Sequence, residues 1–515
     1  MNEVDVVIVG AGPVGLYLAA DLAQRGVSVQ MVDKARRPVR HSRASVVWPR
    51  QLELLHGVGV ADELMDRGRA IEGVAFHSDR GELGQLRFST IREAPYPFGL
   101  AVSQEITERV LIDRYEALFG PLRRDGELVG LAQDNVGVDL TVRTDAGEND
   151  IRAQWVVGAD GAHSTVRELA GIQFTGPSGA ARFAIGDAGI EGTLSTRMLH
   201  YFYSNSAAIG ISPFTEETMR IAVSMPSDAP EPDRAFFRRV LTENTRLVTD
   251  VREPDWSTAF DVRFRTAERF KKGRVLLVGD AAHVMSPAGG QGMNTGLQDA
   301  ANLGWKLAHV LEARASEGLL SSYDSERRWA AGRVAATSGR LARWSAARGP
   351  ALSRKRDAEI FLATRKRQRP NLVDVIAQLD TRYPIAGASS HGSRLGARFP
   401  SFTGHVPDRA PWSSWPVHDA YGYTLFLWPG TTEPRAWEDI VASLAQRTQH
   451  VVRDLARTAS PASSPGLGRR AHYFLVRPDG HVIEEGRFAR PGDIPSRVIG
   501  GARAARPQHN DKHER

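Results

Sequence analysis

The sequence contains no cysteine in 515 residues, which excludes disulfides, iron–sulfur clusters and thiolate zinc sites. It also lacks a long apolar run: none reaches the roughly 18 residues that a membrane-spanning helix needs. The chain enters a strand pattern at once, without the basic, apolar and small-residue regions of a secretory signal. No single charge sign dominates, with 66 Lys and Arg against 60 Asp and Glu. The basic residues alternate with acids and cluster only at 354–369, RKRDAEIFLATRKRQR, and in the tail. A solvated helix face explains such a cluster, so neither nucleic acid nor a membrane is expected as a partner. What is present, 42% hydrophobic and 24% charged residues, describes a folded chain of two or three domains, and a cytoplasmic location fits.

Residues 4–9 read as a buried strand, 14–25 as a helix and 28–33 as a second strand, the opening of a βαβ unit. Helical spacing recurs at 48–56 and 104–119, and VGVDLTVRT and DIRAQWVVGAD read as strands. From 181 to 265 the texture changes to alternating segments (MLHYFYS, AAIGIS, MRIAVSM, AFDVRFR), the pattern of an inserted antiparallel sheet. Two long helices are predicted at 293–315 and 321–345, whereas 346–400 is basic and carries no clear period. Beyond it, YGYTLFLWPG, a helix near 436–456 and AHYFLVRPDGHVIEEG outline a further unit. The last segment reads as a hairpin turning at Asp479 and Gly480. Residues 458–469 read as a loop, and the polar tail from 505 as disordered.

Gly10, Gly12 and Gly15 supply GxGxxG between the first strand and helix. The first glycine allows a tight turn, the second lets backbone approach a pyrophosphate, and the third lets helix pack on strand. The helix N-terminus, opened by Pro13 and Val14, adds N–H donors, and Asp33 ends the second strand where an acid can hold a ribose. This pattern fits FAD and NAD equally. A second loop, GDAAHVMSPAGGQGMNTG at 279–296, again joins a strand to a helix. Asp280 can hold a second polyol there. Gly289, Gly290 and Gly292 keep side chains away from something flat, and the helix near Met293 aims its first N–H groups at it.

Three motifs, GAGPVG at 10–15, ADGAHSTVR at 159–167 and GDAAHVMSPAGGQGMNTGLQDAANLGWKLA at 279–308, together resemble those of the single-component FAD-dependent aromatic hydroxylases. These are the class A flavoprotein monooxygenases of p-hydroxybenzoate hydroxylase and phenol hydroxylase type. The resemblance covers roughly residues 1–345, and the middle motif matches DGxxSxxR through Asp160, Gly161, Ser164 and Arg167. LVRPDGHV at 475–482 is similar to the thioredoxin-like appendage of the phenol hydroxylase branch, here without cysteine for thioredoxin chemistry.

The resemblance implies an α/β fold: a Rossmann-like FAD-binding domain at 1–180 and 271–395, and a substrate-binding β-sheet domain inserted at 181–270. A contribution to that sheet from about 72–102 and a thioredoxin-like domain at 396–515 complete it. It implies FAD as cofactor, NAD(P)H and dioxygen as co-substrates, a small aromatic substrate and no metal, with a homodimer left open. Cofactor contacts carry over to Asp33, where glutamate is commoner, with Lys34 beside it, and to Arg43 in HSRAS and Gln104 in SQEITERVL. They carry over further to Leu128, Asp160, Asp280, Pro287, Gly290, Gly292, Met293 and Asn294. Ser286 stands where a second proline is frequent.

The activity implied is hydroxylation of a phenolic substrate through a flavin hydroperoxide, with a polycyclic polyketide as the substrate type the branch suggests; Baeyer–Villiger insertion or epoxidation is the alternative on this scaffold. A non-catalytic FAD-binding protein and an NAD-dependent dehydrogenase are the readings outside the family. No side chain is marked as the phenol-activating base. In MLHYFYS, alternation puts Tyr201 and Tyr203 on one face and His200 on the other. These three and Arg43 are the catalytic candidates; for the three in the sheet, packing of the sheet is the competing reading. His283 reads as structural.

Overall fold

The computed structural model describes residues 3–38, 44–91, 93–177, 181–226, 228–262, 264–285, 289–366, 371–385, 393–400, 403–404, 412–413, 422–455 and 469–499. It is a mixed α/β protein of two compact units, Met1–Ala301 with Arg327–Thr381, and Asn302–Glu326 with Arg382–Arg515. Among the described residues no helix is long and apolar enough to cross a membrane.

The first unit is organised by a sheet that begins with Glu3–Val9, whose Val6, Val7 and Ile8 are fully buried. A strand so apolar on both faces must be covered on both, as in a parallel α/β sheet. It pairs in parallel with Val29–Val32 on one side and with Gly147–Gly158 on the other, and the latter pairs in parallel with Val275–Leu277. Chain order therefore reverses beside Glu3–Val9. The crevice beyond the carboxyl ends of strands at such a reversal is where α/β sheets bind ligands.

A second, seven-stranded sheet runs in the order Trp256–Val262, Ala181–Ala188, Met219–Met225, Ala208–Pro213, Met198–Tyr203, Gly73–Ser78, Gly81–Arg87. Its pairs are antiparallel except one: Met198–Tyr203 lies parallel to Gly73–Ser78, with Tyr201 opposite Phe76. Because side chains alternate along each strand, one face carries His200, Phe202, Ile211 and Ile221, the last three packed with Phe237 and Leu241 of the helix Arg234–Asn244. The other face carries Leu199, Tyr201, Tyr203 and Ala222 and faces a cavity.

The long helices are Gly292–Leu311 and Gly318–Ala346. The first stops four residues short of the predicted end, and Ala313, at φ 56°, starts the turn. The described residues of the segment without a readable period include the helices Pro350–Arg365 and Leu372–Ile376.

The second unit is built on a four-stranded sheet ordered Val451–Asp454, Thr424–Trp428, His472–Val476, Val482–Arg487. Its single parallel pair corrects the helix expected to reach 456: the helix Pro434–Arg447 ends at Thr448, and Val451–Asp454 returns as a strand beside Thr424–Trp428. Two adjacent valines that can pair in a sheet outweigh a helical period that would leave them unpacked. The turn after His472–Val476 closes through Gly480 donating to the Arg477 carbonyl, with Gly480 at φ 79°. Asp479 does more than turn the chain. It is buried in an ionic cluster with Arg477, Glu326 and Lys306.

Candidate functional site

The first glycine loop sits at the chain reversal. Gly10 has φ 110°, and a Cβ there would lie 2.4 Å from the Ala159 carbonyl oxygen. A Cβ on Gly15 would lie 2.1 Å from the carbonyl oxygen of Gly10. Both glycines are demanded by the protein's own packing. Gly12 is different: it is extended, at φ −81°, and a Cβ there would meet nothing within 4 Å. Its own packing does not require glycine; it lines the cavity at the helix N-terminus, where a bare backbone leaves room for a ligand to approach. Pro13 then opens the helix Pro13–Gln24, and Val14 packs under the second loop.

Asp33 accepts hydrogen bonds from the Ala11 and Ala35 amides at 3.0 and 2.9 Å and lies 3.3 Å from Arg124. It so joins the first loop to the end of the second strand, with Lys34 exposed beside it. Leu128 is buried in the strand Glu127–Gln133, just past Gly126, whose amide donates to the Asp33 carbonyl.

In the middle motif the Asp160 carboxylate is spent on its own turn, accepting from Ser164 Oγ at 2.5 Å and the Val166 amide at 3.1 Å. Burial pushes its pKa up, and those bonds offset only part of the rise. Arg167 reaches across to donate to the Ala281 carbonyl at 3.0 Å and to that of Ala162, with Phe174 against its guanidinium. It ties the middle motif to the residue after Asp280.

The third motif starts with Gly279 at φ 60°, whose amide donates to Asp299. Asp280 is exposed at the cavity wall. Helix Gly292–Leu311 packs closely on the first loop, since a Cβ on Gly296 would lie 2.7 Å from Val14 and 3.0 Å from the Gly279 Cα. The two glycine loops thus share one wall. His283 is buried and bonds Asp299 at 2.6 Å, and Asp299 also bonds Arg327 at 2.7 Å. This cluster lies behind the loop, not in the cavity.

One cavity of about 1230 Å³ runs along both loops and under the second sheet. Gly12, Pro13, Val14, Gln104, Asp280, Gly290, Gly292 and Met293 line it from the loops and their helices, and Leu199, Tyr201, Tyr203, Phe183 and Phe260 line it from the sheet. Gln104 opens the helix Gln104–Phe119 and donates to Glu108 at 2.7 Å. The Tyr201 hydroxyl accepts the Gly289 amide at 3.0 Å, a direct link between the sheet and the second loop. Burial pushes the Tyr201 pKa up to about 12 and that of Tyr203 higher still, so both are neutral hydroxyls at ordinary pH. His200 is separated from them: it lies on the opposite face, 3.1 Å from His77 and 3.0 Å from the Ser195 carbonyl, with its pKa lowered by burial. Asn294 offers the cavity no side chain. Its amide bonds the Val46 and Gly290 carbonyls and the Trp48 amide. Arg43, Ser286 and Pro287 lie outside the described residues.

Sequence reasoning missed two features here. One is Arg220, buried on the cavity face and held by both carboxylate oxygens of Asp187 at 2.7 Å. The other is a group of glutamines, Gln51, Gln291, Gln298 and Gln378, bonded to one another behind the second loop. The alternation of Met219–Met225 could have flagged the arginine. No local signal marks the glutamines.

The residues present fit a dinucleotide with a flat ring. A bare Gly12 and a helix N-terminus stand at one position, an acid and a second helix N-terminus beside bare Gly292 at the other. Comparison with known proteins agrees. The family model described as FAD binding domain matches residues 3–338. Rifampicin monooxygenase from Streptomyces venezuelae is 32% identical over 496 residues, covering 94% of this chain and 95% of that protein. The 12-dehydrotetracycline 5-monooxygenase/anhydrotetracycline 6-monooxygenase from Streptomyces rimosus subsp. rimosus is 34% identical over 501 residues, 93% and 94% of the two chains. Among solved structures, an anhydrotetracycline hydroxylase from Streptomyces rimosus superposes with a TM-score of 0.75 at 30% identity, covering 94% of this chain and 96% of that one.

Proposed function

This chain belongs to the family of FAD-dependent aromatic hydroxylases, and on that premise we propose that it is an NAD(P)H-dependent monooxygenase hydroxylating a fused-ring phenol of polyketide type. The observation that carries the reading is the continuity of one cavity from the glycine loops to the aromatic face of the second sheet. The relatives named for tetracycline intermediates and for pentachlorophenol support an aromatic substrate.

When bound, FAD supplies the electron transfer from the nicotinamide and the activation of dioxygen, for which no side chain substitutes. The chain's part is to bind, orient and keep water out. Gly12 and the helix opened by Pro13 receive the pyrophosphate, and Asp280 accepts from the polyol. The first turn of Gly292–Leu311 presents N–H groups at Gly292 and Met293 to the ring, where they favour negative charge. Leu199, Phe183 and Phe260 line the cavity from the sheet with apolar surface, which would limit water there. Tyr201, held by the Gly289 amide and neutral, orients a substrate oxygen and does not act as a base.

The test is anaerobic addition of NADPH to the purified protein followed by air and a panel of polycyclic phenols. Bleaching of a flavin spectrum, its return in air and a product heavier by one oxygen atom from labelled dioxygen are expected. A protein that takes up no FAD ends this reading. Reoxidation that yields only hydrogen peroxide with every phenol ends the substrate assignment. Asp280→Ala is expected to weaken FAD binding by about 1.5–3 kcal/mol, roughly 10- to 150-fold in Kd, as a lost charge-assisted acceptor. Fluorescence titration of the apoprotein measures it, and an unchanged Kd removes Asp280 from the site.

A further inference from the structure

The group of glutamines behind the second loop has its centre at Gln378. This residue is 3% exposed and sits at φ 55°, a left-handed conformation uncommon for any residue but glycine. Its side-chain oxygen accepts from Gln51 Nε2 at 2.7 Å and Gln298 Nε2 at 2.5 Å. Its side-chain nitrogen donates to Gln291 Oε1 and, at 3.2 Å, to Thr295 Oγ1. Two donors and two acceptor sites are all that an amide has, and all are used. The protein thus keeps a large polar side chain, fully satisfied, on a strained backbone where glycine would relieve the strain. Filling space requires neither. Such a combination is expected where the arrangement of the neighbours matters more than stability.

The neighbours are the carbonyls of the second glycine loop. Gln291, oriented by Gln378, donates through Nε2 to the Gly289 carbonyl at 3.0 Å. Thr295 Oγ1, which accepts from Gln378, donates to the Gln291 carbonyl at 2.8 Å. Gln51 donates to the Asn294 carbonyl at 2.8 Å. A carbonyl and the next amide share one rigid plane. Fixing the oxygen of Gln291 therefore fixes the direction of the Gly292 N–H, and fixing that of Gly289 fixes the Gly290 N–H. Gly290 and Gly292 both line the cavity.

We propose that Gln378 is a positioning residue: through Gln291 and Thr295 it aims the backbone N–H groups of Gly290 and Gly292, and so sets how strongly the site prefers reduced over oxidised flavin. This rests on the FAD reading above. Donors aimed at the ring stabilise the charge gained on reduction, and loosening the cluster weakens that preference before it weakens binding of the oxidised form.

The experiment compares the wild-type holoprotein with Gln378→Leu, Gln378→Gly and Gln51→Leu, measuring flavin midpoint potential, Kd for oxidised FAD and melting temperature. Both Gln378 variants are expected to lose about tenfold in the preference for reduced flavin, which for a two-electron couple is about 30 mV. Kd for oxidised FAD changes less. Gln378→Gly, relieved of its φ strain, melts no lower than Gln378→Leu yet shows the same fall in potential. Gln51→Leu, at the edge of the cluster, shows a smaller fall in the same direction and keeps the test open should the central variants not fold. Potentials equal to wild type in variants with lowered melting temperatures overturn the proposal and leave the FAD reading intact. A wild-type protein that binds no FAD overturns both.

Discussion

Gly12→Val is expected to give an apoprotein that melts close to the wild type but no longer retains FAD, while Gly10→Val loses FAD and stability together. The two glycines stand two residues apart in one motif, yet the structure gives them different reasons. Gly12 is extended and its Cβ would project into open space, so valine meets no clash there in the empty protein and costs only the weaker N-cap preference, of about 1 kcal/mol or less. The added side chain fills the approach of a pyrophosphate to the backbone, where close contact is the basis of binding. A displaced pyrophosphate loses several N–H bonds to a charged group, each about 1.5–3 kcal/mol, so a loss of more than 100-fold in affinity is the expected scale. Gly10 meets two penalties at home. Its φ of 110° costs a non-glycine residue about 1–3 kcal/mol, and a Cβ 2.4 Å from the Ala159 oxygen forces apart the paired strands Glu3–Val9 and Gly147–Gly158. Apoprotein melting curves and FAD titrations on the pair decide it. A Gly12→Val protein with wild-type FAD affinity would falsify the assignment of this loop to the pyrophosphate.

What could be read in advance was local. GxGxxG with Asp33 is contiguous, so spacing alone places its turn, its helix and its acid. The second loop is equally contiguous, and Asp280, Gly292 and Met293 stand at its cavity wall. Period two in MLHYFYS separated His200 from Tyr201 and Tyr203, though not which face meets the cavity. That choice is made by what covers each side, Phe237 and Leu241 on one and the glycine loops on the other. Non-local pairing defeated the rest. Val451–Asp454 read as helix because its strand partner lies at Thr424–Trp428, and the bonds of the Asn294 side chain to Val46 and Trp48 were not readable because both lie far away in the chain. Gln378 stood in a stretch with no period, and its bonding partners at 51, 291, 295 and 298 leave no pattern around it.

Asp299→Ala is expected to destabilise the protein by about 3–5 kcal/mol, the scale for removing one partner of a buried ion pair. Asp299 is fully buried between His283 at 2.6 Å and Arg327 at 2.7 Å, and it also accepts the Gly279 amide at 3.1 Å. Arg327 is 1% exposed and would keep its charge without the carboxylate that balances it. Against a typical stability of about 5–15 kcal/mol this is a large fraction, and it falls beside Asp280, so FAD retention declines as well. The acid limb adds a second signature. Burial alone would raise the Asp299 carboxyl, but His283 and Arg327 outweigh it and hold the pKa below the ordinary range. A depressed carboxylate contributes stability that is fully present above its unfolded pKa, about 3.9, and that drains away as pH falls through the lower folded value. Urea melts from pH 7 down to about pH 3 should therefore show a steeper loss of stability in the wild type than in Asp299→Ala, so that the gap between them narrows below about pH 4. A gap of constant size across that range would mean that Asp299 acts through packing and not through its charge.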